Sequence, residues 1–522
     1  MSSLRQNWKR YSLSKSVLKF LAAAVLLFFT AAPLFNLVAG ALISFGQGTT
    51  HIKITDNLGL LIKSVALYSG AAVLCVALGF AVAIWVWTAF EKRAIKIAIL
   101  MLILILIPPF VHVQSWIYFM DKIIAVINST FGLMLNFSGE FAVIITMAFS
   151  FLPLTAGLCL VALLSVPAEI NDQARLETAG RKTFLAVYFP LISPALLISG
   201  LLVFLLNIND YGIPSVFGVN VFSLELFSLF SANGDRYGVF FSSLPLVAIC
   251  LVVLVFLGIY MKRIHFAFSG FKAGNPFKTV GFIQTISAIG FVVFAFFTLV
   301  PLCNLIYEAA FVNDALGVLS GSADEFVYSL WTSALSAVAC LIPAIIFAYL
   351  YFFSKHKVLL ISLAALPFII PAAISGLSMI SLWNSPLLHN IYQSPFMPAI
   401  AMVGRFAFIE ALIISFALLR LEKALVDNLR LHNPGILETF KCLAALLWKE
   451  CLAGVMIVFA LAMSEFGMTL LVTPPGYQTI TIKIFNYLHY GASDIVAILC
   501  LAMLAIMLLI STWVFLLLKG GR

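Results

Sequence analysis

Long apolar runs, separated by short polar segments rich in Gly, Pro or basic residues, recur along the whole chain. Val17–Phe45, Ile97–Phe110 and Ala497–Leu518 reach or approach the roughly 20 apolar residues that a helix needs to cross a bilayer. Strands of a membrane barrel would alternate polar and apolar residues over about ten positions, and these runs do not. The pattern predicts twelve helices: 18–46, 58–88, 97–118, 140–165, 191–212 and 239–260, then 281–311, 326–353, 358–383, 397–420, 447–472 and 494–518. The first follows Arg5, Lys9, Arg10, Lys15 and Lys19. It is too long for the apolar core of a signal peptide and reads as an uncleaved span.

Composition excludes the soluble classes. Of 522 residues, 63% are apolar and 10% charged, too little charge to wet the surfaces of several soluble domains. The fold expected is an all-α polytopic membrane protein of about twelve transmembrane helices. Eight cysteines fall in predicted spans or inner segments, with no disulfide framework or CxxC pattern. The charges set an orientation. Outer segments hold only Lys53, Lys63, Lys122, Arg236 and Lys483, Arg405 lies within a span, and every other Lys and Arg falls on the side of the two termini. The positive-inside rule makes that side cytoplasmic. The net charge of +9 therefore reflects topology and contact with anionic membrane lipids, and nucleic acid is not an expected partner.

The chain reads as two halves of six spans, 1–260 and 281–522, joined by a cytoplasmic linker at 261–280 that carries Gly270, Gly274 and Pro276. Leu106-Ile-Pro-Pro-Phe in span 3 matches Ile369-Ile-Pro-Ala-Ala in span 9. Asp210-Tyr-Gly matches Glu465-Phe-Gly, and Ser223-Leu-Glu-Leu-Phe matches Thr481-Ile-Lys-Ile-Phe. Six spans per half make the halves parallel, which implies a pseudo-twofold along the membrane normal and a path at their interface.

Two inner loops, about 166–190 and 421–448, are far longer than tight helix connections. In the first, 172–180 reads as a short polar helix, with Phe184 and Val187 offering apolar contacts. Such a helix serves either as a docking element for a soluble partner or as an interfacial cover for the span ends; its recurrence in both halves favours docking.

Asp172-Gln-Ala-Arg-Leu, followed by Thr183-Phe-x-x-Val-x-Phe-Pro190, resembles the EAA loop of type I ABC importer permeases. Asp210-Tyr-Gly and Glu465-Phe-Gly resemble the Glu-Phe-Gly of the fused, two-half iron(III) and thiamine permeases, which also carry both six-span halves in one chain. The first loop has Asp-Gln-Ala in place of Glu-Ala-Ala, and Leu446 stands where the second loop's terminal Pro would be. The resemblance implies docking of two copies of an ATPase subunit on Asp172, Gln173, Ala174, Arg175, Leu176, Gly180 and Phe184 and on Asp427, Arg430, Glu438 and Phe440. It also implies a periplasmic or extracellular substrate-binding protein, a bacterial inner-membrane location, and ferric iron as cargo ahead of thiamine or a phosphonate. The chain is not expected to be an enzyme. It has no GxxxxGK[ST] and no Gly-Lys dipeptide, so ATP hydrolysis would fall to the partner.

Intramembrane charge is expensive and marks candidate sites. Asp210, Tyr211, Gly212, Glu465, Phe466 and Gly467 are assigned to the path or gate, with Arg405 of span 10. The two acids either attract a cation or brace the Gly turns that follow them. Arg405 pairs with Glu410 or Glu465, or meets an anionic ligand. Pro108, Pro109 and Pro371 are expected to break spans 3 and 9. The seven histidines are scattered, so no metal site and no cofactor is assigned. A secondary transporter of the major facilitator type also has twelve spans in parallel halves, but its Gly-Asp-Arg signature is missing from Thr88–Lys96. A scaffold that moves nothing would leave the duplicated loops unexplained.

Overall fold

The computed structural model describes residues 28–29, 31–48, 57–90, 93–104, 107–166, 170, 184–261, 281–353, 357–419, 436–490 and 493–519. Every regular element among them is helical. In the first half these are α1 (Ala32–Gly46), α2 (Leu58–Ala89), α3 (Ala94–Leu104), α4 (Pro109–Phe131) and α5 (Gly139–Leu164). A π turn (Phe184–Tyr188) leads into α6 (Phe189–Ile208), and α7 (Gly212–Val216), α8 (Phe222–Asn233) and α9 (Arg236–Met261) complete the half. The second half holds α10 (Gly281–Ala310), α11 (Ala315–Ser320), α12 (Ala323–Phe353), α13 (Lys357–Ile369), α14 (Ala372–Trp383), α15 (His389–Tyr392) and α16 (Met397–Leu419). It ends with α17 (Ile436–Ser464), α18 (Thr469–Val472), α19 (Ile480–Tyr490) and α20 (Ser493–Lys519).

Among the described residues, nine helices are long and apolar enough to cross a membrane, and a tenth span results if the bent pair α13–α14 is one crossing. The chain is thus an all-helical, multi-pass membrane protein. Twelve continuous spans are not what the described residues contain. Of the first predicted span, residues 28–29 and 31–46 are described, the last fifteen forming the apolar helix α1. Spans 3 and 9 are interrupted: Pro108 and Pro371 stand in extended backbone (ψ 140° and 139°) as the residues before α4 and α14. Proline has no N–H to continue the preceding helix, and its ring crowds the residue before it out of the helical conformation. At Pro371 the two pieces meet at 110°. The span expected at 447–472 ends at Ser464, and α18 follows as a separate turn of helix.

The order of elements reads twice. α2 packs on α5 and α6 as α12 packs on α16 and α17. Ser64 Oγ accepts the N–H of Phe222 at 2.8 Å, and Ser329 Oγ accepts that of Ile480 at 2.8 Å. Each hydroxyl thereby satisfies a buried backbone donor at the start of α8 or α19, one that no earlier turn of helix can supply. The first helix of each half lies on the other half. α1 packs on α14, with Asn36 Oδ1 accepting from Ser381 Oγ at 2.7 Å and the Phe28 ring 5.7 Å from Trp383. α10 packs on α2 and α4, where the Trp116 and Phe297 rings stack at 5.6 Å and Lys122 pairs with Glu308. Val73, Ile62, Val292 and Trp513 lie exposed around this core, as lipid-facing side chains do.

Candidate functional site

The two duplicated turns meet at the junction of the halves, and each is built by its own acid. Asp210 follows α6, and its Oδ1 accepts the N–H groups of Gly212 (2.7 Å) and Ile213 (3.3 Å). Glu465 follows α17, and its Oε1 and Oε2 accept the N–H groups of Met468 and Thr469, each at 2.9 Å. A short helix opening inside a membrane leaves its first N–H groups without partners, and a carboxylate folded back on them supplies charge-assisted acceptors. Of the two roles open from sequence, bracing the turn is the one both side chains perform here. The carbonyl of each acid is satisfied as well. That of Asp210 accepts from the Tyr68 hydroxyl (3.1 Å), and that of Glu465 from the hydroxyls of Thr481 (3.0 Å) and Thr469 (3.1 Å).

Tyr211 joins the turns across the halves. Its hydroxyl donates to the Gly467 carbonyl at 2.8 Å, and its ring stacks on Phe227 (5.2 Å) and lies 5.6 Å from Phe466. The aromatic run continues through Phe485 (4.3 Å from Phe466) to His489 (4.2 Å from Phe485), and His489 Nε2 returns to the first half at Ser215 Oγ, 2.9 Å away. Gly467 is glycine for reasons of space. A Cβ there would stand 2.7 Å from Ala372 Cβ and 3.2 Å from the Tyr211 ring, closer than atoms pack without displacement. Beside Tyr211, Asn209 Nδ2 donates to the Ile369 carbonyl at 3.1 Å. That carbonyl ends α13, and Pro371 removes one of the N–H groups that would otherwise continue the ladder beyond it. The first-half turn is thus held by both the second-half turn and the second-half helix break.

Arg405 is buried, with Nη1 3.9 Å from Glu465 Oε1. This is ion-pair distance without a hydrogen bond. Glu410, its other candidate partner, is not engaged by it. Asp210, Tyr211, Gly212, Arg405, Glu465, Phe466 and Gly467 therefore do converge. Among the described residues no group of three or more His, Cys, Asp or Glu side chains is arranged to hold a metal ion.

The docking residues are placed differently. Asp172, Gln173, Ala174, Arg175, Leu176, Gly180, Asp427 and Arg430 lie outside the described residues, as do the side chains of Glu438 and Phe440, whose backbone belongs to α17. Phe184 is described, and it points inward. It is 4% exposed, stacked on Tyr188 and 6.3 Å from the Phe80 ring. It anchors the end of the loop to α2 and offers no outward docking surface, because an aromatic ring at the mouth of an apolar bundle gains more by burial. Sequence reasoning passed over Ser64, Ser329, Tyr68 and Asn209. The two serines carried a signal, since each stands at the seventh position of its helix, α2 or α12.

Comparison of the chain with family models, curated proteins and solved structures returns no match.

Proposed function

We propose that the chain is the membrane-spanning permease of an ATP-driven, binding-protein-dependent importer, seated in a bacterial inner membrane with both termini cytoplasmic. Its two halves enclose the path, two copies of an ATPase subunit grip the loops at 166–190 and 421–448, and the Asp/Glu-aromatic-Gly turns close the far end. The observation that carries this reading is the joined pair of turns. Two related halves, each with its first helix on the other, meet at turns braced by Asp210 and Glu465 and linked by the Tyr211–Gly467 bond. Such a contact can be made and broken by rocking one half against the other. Ferric iron is the cargo the sequence resemblance favours. Both acids are occupied by backbone N–H groups, so in this reading they shape the outer entrance and the partner binding protein selects the ion.

Affinity purification of the tagged chain from its native membrane tests the docking. An ATPase subunit is expected to accompany it in two copies, and replacing Asp172–Leu176 together with 427–431 by Gly-Ser segments is expected to abolish that association. An ATPase that stays bound after both replacements overturns the assignment.

A further inference from the structure

The second half holds an acid that the junction does not use. Glu410 lies midway along α16, wholly buried, and neither carboxyl oxygen has a hydrogen-bond partner. Cys340 of α12 and Cys451 of α17 are within its electrostatic reach, with Glu450 next to Cys451. α17 brings backbone against the acid at Gly454, where a Cβ would stand 3.3 Å from Oε1. α13, α14 and α18 also pack against α16. Their single titratable residue is Lys357, at the end of α13 opposite the Phe368 ring that meets Phe406. The other charged residue of α16 is Arg405, directed to Glu465. α17 also carries Lys441, whose side chain lies outside the described ones, and Lys449, whose Nζ lies 5.8 Å over the Trp448 ring. Among the described residues no cation hydrogen-bonds to Glu410.

The internal repeat provides a control for this position. Thr155 precedes Glu410 by the same offset that separates Asp210 from Glu465 and Gly212 from Gly467. It sits on α5, the counterpart of α16. Its hydroxyl lies 3.0 Å from the Leu152 carbonyl and 3.1 Å from that of Cys75, and so donates within the protein. Cys75 belongs to α2, as Cys340 belongs to α12. The first half thus fills the equivalent position between α5 and α2 with a small hydroxyl that is satisfied internally. Packing does not call for a carboxyl there, and an ionised one without cation or donor would be strongly destabilising.

We propose that Glu410 is a proton-binding site in the core of the second half. It holds its proton in the conformation described and yields it to solvent when α16 and α17 part and water enters between them. The step is an acid dissociation: the carboxyl O–H bond breaks, the proton passes to a water molecule, and a hydrated carboxylate remains. This site goes beyond the permease reading and does not rest on it.

Dicyclohexylcarbodiimide, which reacts with protonated carboxyls in apolar surroundings, is the probe. The purified full-length chain is treated in detergent micelles and the modified residues are mapped by mass spectrometry. Glu410 is expected to be labelled at neutral pH, with labelling falling severalfold under alkaline conditions. Glu410→Thr, the first half's own choice, is expected to melt as the wild type does and to lose an infrared carbonyl band of a protonated carboxyl. Should that variant fail to fold, Glu410→Gln is read for the same band. An unlabelled Glu410 in folded protein at neutral and acidic pH overturns the proposal, as does a band that survives substitution. Labelling that ignores pH overturns release to solvent. No ATPase enters these measurements, so their failure leaves the docking assignment standing, and loss of the docking assignment leaves them unaffected.

Discussion

At the scale of single residues, the acids of the junction act through the backbone. Glu465 satisfies two buried N–H groups, and an orphaned buried donor costs about 1–3 kcal/mol. Glu465→Ala is therefore expected to lower the thermal stability of the purified protein by about that amount for each donor. Glu465→Gln, which keeps one carbonyl acceptor, is expected to lose roughly half as much. Melting curves of the three proteins in one detergent check this, and an alanine variant that melts like the wild type would show that the turn does not need its acid. Tyr211→Phe isolates the link between the halves. It removes only the hydroxyl that donates to Gly467, a change of about 0.5–1.5 kcal/mol. Its expected sign is faster cleavage by protease at the junction, with unchanged folding of either half. The Asp-Tyr-Gly and Glu-Phe-Gly triplets made these turns legible in sequence. That the acids would turn inward on their own N–H groups was not legible, because a carboxylate beside a glycine fits an ion site and a helix start equally well.

At the scale of elements, the breaks before α4 and α14 could be expected from Pro108 and Pro371, because a missing N–H acts locally. Which prolines break a helix could not be read, since Pro153, Pro245 and Pro301 lie inside α5, α9 and α10 without ending them. The serines that hold α8 and α19 were not readable either, because their partners are 158 and 151 residues away in the chain. Hydropathy reports only that a residue sits in a span, not which neighbour it meets. Their equivalence makes a paired test. Ser64→Ala and Ser329→Ala each strand one buried N–H and are expected to destabilise by similar amounts, about 1–3 kcal/mol, with the double variant close to additive since the sites share no partner. Differential scanning of all four proteins measures it, and a large loss from only one serine would contradict the equivalence of the two halves at this point.

At the scale of the whole molecule, the exchange of first helices decides how the halves can move. α1 is fastened to α14 and α10 to α4, so neither half can rotate without carrying a helix of the other. Placing cysteines at Asn36 and Ser381, whose side chains are in contact, is expected to allow efficient joining by a short thiol cross-linker in intact membranes. Absence of a cross-link, with both cysteines reactive to a maleimide, would contradict the exchange. Hydropathy could not foresee the exchange, since an apolar helix face is equally compatible with either half. The central claim concerns what drives the motion. The decisive measurement is uptake of radiolabelled ferric iron into vesicles holding the purified chain, with the proposed binding protein outside and the proposed ATPase and ATP inside. Uptake is predicted only when ATPase and ATP are both present; uptake sustained by a proton or sodium gradient in vesicles without the ATPase would contradict the account.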